Sequence, residues 1–267
     1  MGRLDVELVK RGMVATRSKA KEYIEAGRVT VEGIKVYKPS FDILGAEKIA
    51  LEITDREYVG RGGKKLEKAI EVFGIDVKDK VCADIGASTG GFTDCMLYYG
   101  AKKVYAVDVG SGQLAQKLRC DERVINIENT NIRYMEEGAL PEKADFFCAD
   151  LSFISLTLVA DKLSALLKEG GMCVCLIKPQ FEAGRENIGK SGIVKDAKVH
   201  QAVIAKVARY CESAGLVPCA LEYSPIKGGD GNTEYLILLE KNAEVNGRVT
   251  DESIEKIVKR AKKELAL

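Results

Sequence analysis

Val81-Cys82-Ala83-Asp84-Ile85-Gly86-Ala87-Ser88-Thr89-Gly90-Gly91-Phe92 begins as an apolar strand, breaks at a glycine loop and leads into a helix. In that arrangement the carboxyl end of a strand and the first turn of a helix offer backbone N–H groups to a ligand. The surrounding chain repeats the alternation from Lys64 onward. Leu66, Ala69, Ile70 and Phe73 make a helical stripe, and Val81 to Ile85, Val104 to Val107, Val124 to Ile127, Phe146 to Ala149, Met172 to Ile177, Val217 to Leu221 and Tyr235 to Leu239 read as strands. Helical segments separate most of them, which predicts an α/β fold with a doubly wound, mainly parallel sheet whose ligands bind at the strands' carboxyl ends.

Glycine spacing decides between cofactors. A dinucleotide loop reads G-x-G-x-x-G so that the second glycine lets the backbone approach a pyrophosphate; here Ala87, Ser88 and Thr89 separate Gly86 from Gly90, which weakens the case for NAD. Asp108, at the end of the second strand, is placed to accept both ribose hydroxyls of an adenosine, a contact common to either cofactor. A plain strand-to-helix turn is the alternative. The form D-x-G-x-x-x-G-G-F resembles the first motif of S-adenosylmethionine-dependent methyltransferases. That resemblance implies a Rossmann-like fold with Asp84, Gly86, Ala87, Ser88, Gly90, Gly91 and Phe92 at the cofactor's amino-acid end. Asn131, past the third strand, is a candidate for the adenine contact, and a turn-forming Asn explains it almost as well.

The 267 residues hold one large domain or a large one with a small companion. With 41 basic and 40 acidic residues the net charge is +1, so any partner signal lies in the distribution of charge. The longest stretch free of Asp, Glu, Lys and Arg, Leu151 to Ala160, is about half of a membrane span. Charged residues at Arg3, Asp5, Glu7, Lys10 and Arg11 occupy the place of a secretory apolar region, so a cytoplasmic protein without membrane partners is expected. Of the eight cysteines, Cys82, Cys148, Cys173 and Cys175 fall in strand-like runs and are expected as buried, reduced thiols. No C-x-x-C pair occurs and His200 is the only histidine, so no metal is expected and His-dependent triads are nearly excluded.

Ahead of the alternation the pattern is helix, helix, hairpin. Leu4, Leu8 and Val9 share one helical face running into Gly12; Ala20, Tyr23 and Ile24 share another before Gly27; Val29-Thr30-Val31, Glu32-Gly33 and Ile34-Lys35-Val36 form a tight hairpin. Between Lys10 and Lys38 eight basic residues face three acidic ones, a net of +5. Cations of this density solvate helix faces as readily as they bind phosphates. The order R-L-D-V-E-L-V-K-R-G, T-R-S-K-A-K-E-Y-I-E-A-G-R-V-T-V-E-G, K-V-Y-K-P-S resembles the S4 RNA-binding domain over residues 3 to about 53. The resemblance implies phosphate contacts from Arg17, Lys19, Lys21 and Arg28, with Arg3 and Arg11 as further candidates, giving affinity without sequence information.

Four polar residues break the apolar patterning. Lys65 lies in R-G-G-K-K-L, Asp150 ends the fourth strand in D-L-S-F-I-S-L, Lys178 ends the fifth in I-K-P-Q-F-E, and Glu234 opens the last in G-N-T-E-Y. Singly each has a structural explanation: a solvated surface residue, a helix cap or a snorkelling lysine. Jointly, at the rim of one crevice, they read as a site. Lys-Asp-Lys-Glu in these contexts resembles the ribose 2′-O-methyltransferases of the FtsJ type, and with the small basic module the whole chain resembles the TlyA, or haemolysin A, family of rRNA methyltransferases. The resemblance implies Lys65, Asp150, Lys178 and Glu234 as the catalytic set, with Lys65 chosen over Lys64 because Leu66 follows it, Asp150 also near the cofactor, and ribosomal RNA or subunits as partner. In this reading Lys178 is the proton acceptor, and Asp150 and Glu234 orient the two amines. The expected boundaries are an S4 domain over 1–54, a linker over 55–63 with Asp55, Arg56, Gly60, Gly62 and Gly63, a methyltransferase domain over 64–242 and a helical tail over 243–267. Gly184 to Val194 is either a lid or a plain loop. A non-catalytic ribosome-binding scaffold, a membrane-active haemolysin and an NAD-linked oxidoreductase are the rival classes.

Overall fold

The computed structural model describes residues 2–14, 16–25, 27–51, 57–136, 138–189, 191–244 and 249–265. The chain divides into two compact units, Met1–Glu57 and Tyr58–Leu267. In the first, β1 (Gly2–Arg3) pairs with β4 (Asp42–Ile43), and β2 (Val29–Val31) lies between β3 (Ile34–Val36) and β5 (Ile49–Leu51), all antiparallel. Glu32 and Gly33 both take positive φ, 50° and 79°, the requirement of the tight turn joining β2 to β3. Helices α1 (Leu4–Lys10) and α2 (Arg17–Glu25) bury Leu4, Leu8, Ala20, Tyr23 and Ile24 against Val29, Val31, Val36 and Ile43. β1, β4 and β5 are too short for an alternation to show in the sequence.

In the second unit β6 (Val81–Ile85), β7 (Lys103–Val107), β8 (Val124–Ile127), β9 (Ala144–Ala149), β10 (Leu167–Ile177), β11 (Leu216–Tyr223) and β12 (Tyr235–Lys241) form one sheet in the order β11-β12-β10-β9-β6-β7-β8. Only β12 runs antiparallel to its neighbours. Adjacent residues feed opposite faces. Cys82, Val104, Phe146 and Val174 pack under α3 (Gly62–Phe73), α4 (Gly91–Tyr98) and α5 (Gln116–Arg119). Ala83, Tyr105, Phe147 and Cys175 pack under α6 (Ala160–Leu166), α8 (Ala197–Ser213) and α9 (Asp251–Glu264). A sheet covered on both faces explains the unbroken apolar strands. The eight cysteines are free thiols.

One boundary differs from the sequence expectation, and the tail packs on the sheet domain as its apolar stripe predicts. Asp55 and Arg56 lie outside the described residues, but Gly60, Gly62 and Gly63 belong to the second unit, and Gly62 and Gly63 open α3. A Cβ on Gly91 would stand 2.9 Å from Gly63 N and 3.0 Å from Gly60 O, so these glycines permit close backbone approach rather than flexibility. The tail is part of the same core, for α9 buries Ile254, Ile257, Val258 and Ala261, and Thr250 caps it by accepting a hydrogen bond from Ser253 N.

Candidate active site

The carboxyl end of β6 runs into the glycine loop. Gly86 takes φ 88°, and a Cβ there would lie 2.7 Å from the carbonyl oxygen of Asp150, so only glycine lets the two loops touch. Asp84 is buried and turned inward: Oδ2 accepts hydrogen bonds from Thr93 N (2.8 Å) and Thr93 Oγ1 (2.7 Å), tying β6 to the start of α4. Burial pushes its carboxyl up to about 7 against the opposing effect of those two bonds. On the other side of the loop Asp108 receives Ser88 N on Oδ2 and Gly110 N on Oδ1, each at 2.7 Å. Each oxygen keeps a second lone pair for an incoming hydroxyl.

A cavity of about 550 Å³ lies over this loop, within the range of small-molecule sites. Of the sequence-derived candidates Gly86, Ser88, Asp108, Asn131 and Asp150 line it. Asp84, Ala87, Gly90, Gly91 and Phe92 do not; they shape the loop from behind, with Phe92 buried against Gly62. Asn131 serves both readings, since its side chain accepts a hydrogen bond from Arg133 N (3.0 Å) while the residue forms part of the wall.

At the rim the four polar residues meet. Glu234 precedes β12, whose Tyr235 pairs with Ile177, so the antiparallel register brings Glu234 beside Lys178. Lys178 Nζ stands 2.6 Å from Asp150 Oδ1, Lys65 Nζ stands 3.3 Å from Asp150 Oδ2 and 2.6 Å from Glu234 Oε2. The result is an alternating row, Lys178, Asp150, Lys65, Glu234, in which each buried ammonium faces a carboxylate. Lys65 is buried in the first turns of α3, whereas Lys64 is half-buried and outside the row. Such a row holds two amines at fixed positions without net charge.

Several residues at the site left no clear sequence signal. Ser152 Oγ accepts a hydrogen bond from Lys178 Nζ at 2.8 Å. Phe153 takes φ 63°, a strained conformation for an aromatic residue, and stands 91% exposed on the cavity wall with its ring centroid 5.1 Å from that of Phe181. Gln113 lines the wall and accepts from Ser88 Oγ (3.3 Å). Buried Glu182 accepts from Ser155 Oγ (2.5 Å) and Leu156 N (2.7 Å), pinning the loop that follows Asp150 to α7 (Pro179–Glu182). The segment 184–194, in which residue 190 is outside the described set, is tied at its end: Asn232 accepts from Val194 N (3.0 Å) and donates to Gly192 O (3.0 Å), and His200 Nε2 lies 2.8 Å from Val194 O. Burial holds the imidazole below its ordinary range, so it is neutral and donates from Nε2, with Tyr235 at Nδ1.

In the small unit the six basic candidates separate. Arg3 and Arg17 both bind Asp5, at 3.0 and 2.9 Å; Asp5 is fully buried, and the hydrogen bond from Arg3 leads the effects that lower its carboxyl. Arg11 is bonded to Glu7 (2.9 Å) and to the carbonyls of Glu47 (2.8 Å) and Gly45 (3.1 Å). These three arginines also hold the unit together, while Arg3 and Arg17 keep about half of their side chains exposed. Lys19 pairs with Glu22 at 3.1 Å, the Arg28 guanidinium lies 5.8 Å from the Tyr23 ring centroid, and Lys21 is exposed and makes no ion pair with a described residue.

Residues 58–241 match the FtsJ-like methyltransferase family. The chain belongs to that family. Residues 2–49 match the S4 domain, so an S4 domain precedes the FtsJ-like domain. The 16S/23S rRNA (cytidine-2′-O)-methyltransferase TlyA of Mycobacterium tuberculosis is 41% identical over 239 residues, 89% of this chain and 89% of the relative. Hemolysin A of Brachyspira hyodysenteriae is 43% identical over 235 residues, 88% of this chain and 98% of the relative. A solved structure of a hemolysin-named protein from Streptococcus thermophilus is 44% identical, covers 99% of this chain and 96% of its own, and has a TM-score of 0.76. The seven-stranded sheet with antiparallel β12 is thus the frame of an FtsJ-like enzyme. Among the described residues no helix is long and apolar enough to cross a membrane, and no group of three His, Cys, Asp or Glu side chains is placed to hold a metal ion.

Proposed function

We propose that this chain transfers a methyl group from S-adenosylmethionine to a ribose 2′-hydroxyl of ribosomal RNA in the cytoplasm. The observation that carries the reading is the alternating row Lys178, Asp150, Lys65, Glu234 at the mouth of a cavity whose wall holds Asp108 and Gly86. Relatives in Mycobacterium tuberculosis and Campylobacter jejuni carry the name rRNA (cytidine-2′-O)-methyltransferase, which supports the substrate class.

The cavity fits the cofactor: it is large enough, and Asp108 on its wall presents open lone pairs for ribose hydroxyls. When bound, S-adenosylmethionine supplies an electrophilic methyl on a sulfonium. The chain's own task is to orient a poorly nucleophilic hydroxyl and take its proton. Lys178 accepts that proton in this reading, Asp150 fixes the amine, and Lys65 with Glu234 holds Asp150 in place from the far side. Phe153 offers an exposed ring beside the cavity on which a nucleotide base can stack. The S4 domain supplies phosphate contacts through Lys19, Lys21 and Arg28, and these set affinity rather than sequence choice.

Incubation with labelled S-adenosylmethionine and isolated ribosomal subunits tests the reading. The wild-type chain is expected to label RNA, and Lys178→Ala to lose transfer while keeping cofactor affinity. Wild-type protein inert on both subunits would point instead to a non-catalytic scaffold.

A further inference from the structure

Lys178 is 8% exposed and is not among the residues that wall the cavity, whereas its neighbour Ser152 is. Ser152 lines the cavity, and its Oγ accepts the 2.8 Å hydrogen bond from Lys178 Nζ. Its loop is anchored at both ends, by Asp150 N donating to Ile85 O (3.0 Å) and by Glu182 accepting from Ser155 and Leu156 N. A hydroxyl both donates and accepts, so this contact serves either state of the amine: charged Lys178 donates to Oγ, and neutral Lys178 receives the Oγ proton.

We infer that Ser152 is a further catalytic residue, relaying the ribose proton to Lys178; this rests on the ribose-methylation reading above. Lys178, an ammonium paired with Asp150 at rest, first releases one proton to solvent and takes part in the step as the free amine. The ribose O–H bond breaks as Ser152 Oγ takes its proton, and Ser152 passes its own proton to the lone pair of Nζ. The ribose oxygen bonds to the methyl carbon as the carbon–sulfur bond breaks, its electron pair staying on sulfur. One positive charge leaves the sulfonium and one appears on Lys178, beside Asp150, so charge and atoms balance.

Ser152→Ala and Ser152→Thr in the full-length chain test the relay. Under saturating cofactor and ribosomal subunits, Ser152→Ala is expected to lower kcat by about 10²-fold, the low end for a lost proton-transfer group, with unchanged affinity for cofactor and RNA. Ser152→Thr keeps the hydroxyl and should recover most of that loss. A kcat for Ser152→Ala within about twofold of wild type overturns the relay, as does a threonine variant no faster than the alanine one. A second readout needs no substrate: in lysine-¹⁵N-labelled protein the Nζ signal of Lys178, assigned by its loss in Lys178→Ala, should shift in Ser152→Ala and return in Ser152→Thr. An unmoved signal overturns the Lys178–Ser152 link. Wild-type protein silent on RNA would sink the ribose-methylation reading, while the Nζ signal would still decide the link.

Discussion

Asp84→Asn isolates one buried carboxyl at the base of the cofactor loop. Asp84 is 1% exposed and its carboxyl sits at about 7, raised first by burial and further by the charges of Asp150 and Asp108. In the unfolded chain it titrates near the ordinary aspartate value of about 3.9. Between those values the folded state binds more protons than the unfolded state, so this group lowers stability as pH rises, and above about 7 the loss is constant. Three pKa units correspond to at most about 4 kcal/mol. The amide introduced by the substitution does not titrate, and its oxygen can still accept both hydrogen bonds from Thr93. Urea unfolding of both proteins from about pH 4 to pH 8 should therefore give a stability difference, variant minus wild type, that grows toward neutral pH by up to about 4 kcal/mol and then levels. Carboxyls that do not interact with Asp84 cancel in the difference. Parallel stability curves across that range would refute the assignment of a raised, buried carboxyl.

Asp108→Ala removes a charged acceptor and should weaken S-adenosylmethionine binding by about 1.5–3 kcal/mol, read by calorimetry. Asp150→Asn leaves Lys178 without its carboxylate while Lys65 keeps Glu234; with Asp150 about one-fifth exposed, the cost should fall below that of a fully buried pair, about 2–3 kcal/mol, or a melting point lower by about 4–12 °C. Arg17→Ala should destabilise the S4 domain by stripping one of two guanidinium partners from buried Asp5, whereas Lys21→Ala should leave melting unchanged and reduce the salt dependence of RNA binding by about 0.7–0.9 in slope. Equal effects of the two substitutions on melting would contradict that division.

The sheet was legible because its strands are apolar on both faces and long enough to show, and the glycine loop because its spacing has a steric cause at Gly86 and Gly91. Asp150, Lys178 and Glu234 stood out as charges at strand ends and Lys65 as one in the run R-G-G-K-K-L, and the fold brings all four together. Other features depend on tertiary context. Gly60 to Gly63 looked like a hinge because glycine permits both flexibility and close approach, and only the position of Gly91 tells which applies. The structural task of Arg3 and Arg17 was hidden because nothing local shows that Asp5 is buried. Ser152 and Phe153 are hidden in an apolar stretch, where neither a positive φ nor an outward ring leaves a periodic trace. Glu182 reads as a surface acid until Ser155 and Leu156 N are seen to converge on it.

The central claim is that the methyl group goes to a ribose oxygen. Ribosomal RNA labelled by the wild-type chain, digested to nucleosides and resolved by mass, should carry the new methyl on the sugar, at a linkage that resists alkaline cleavage because its 2′-oxygen is blocked. The same digest from Lys178→Ala should lack it. A methyl found on a base, with the 3′ linkage still cleaved by alkali, would contradict the account.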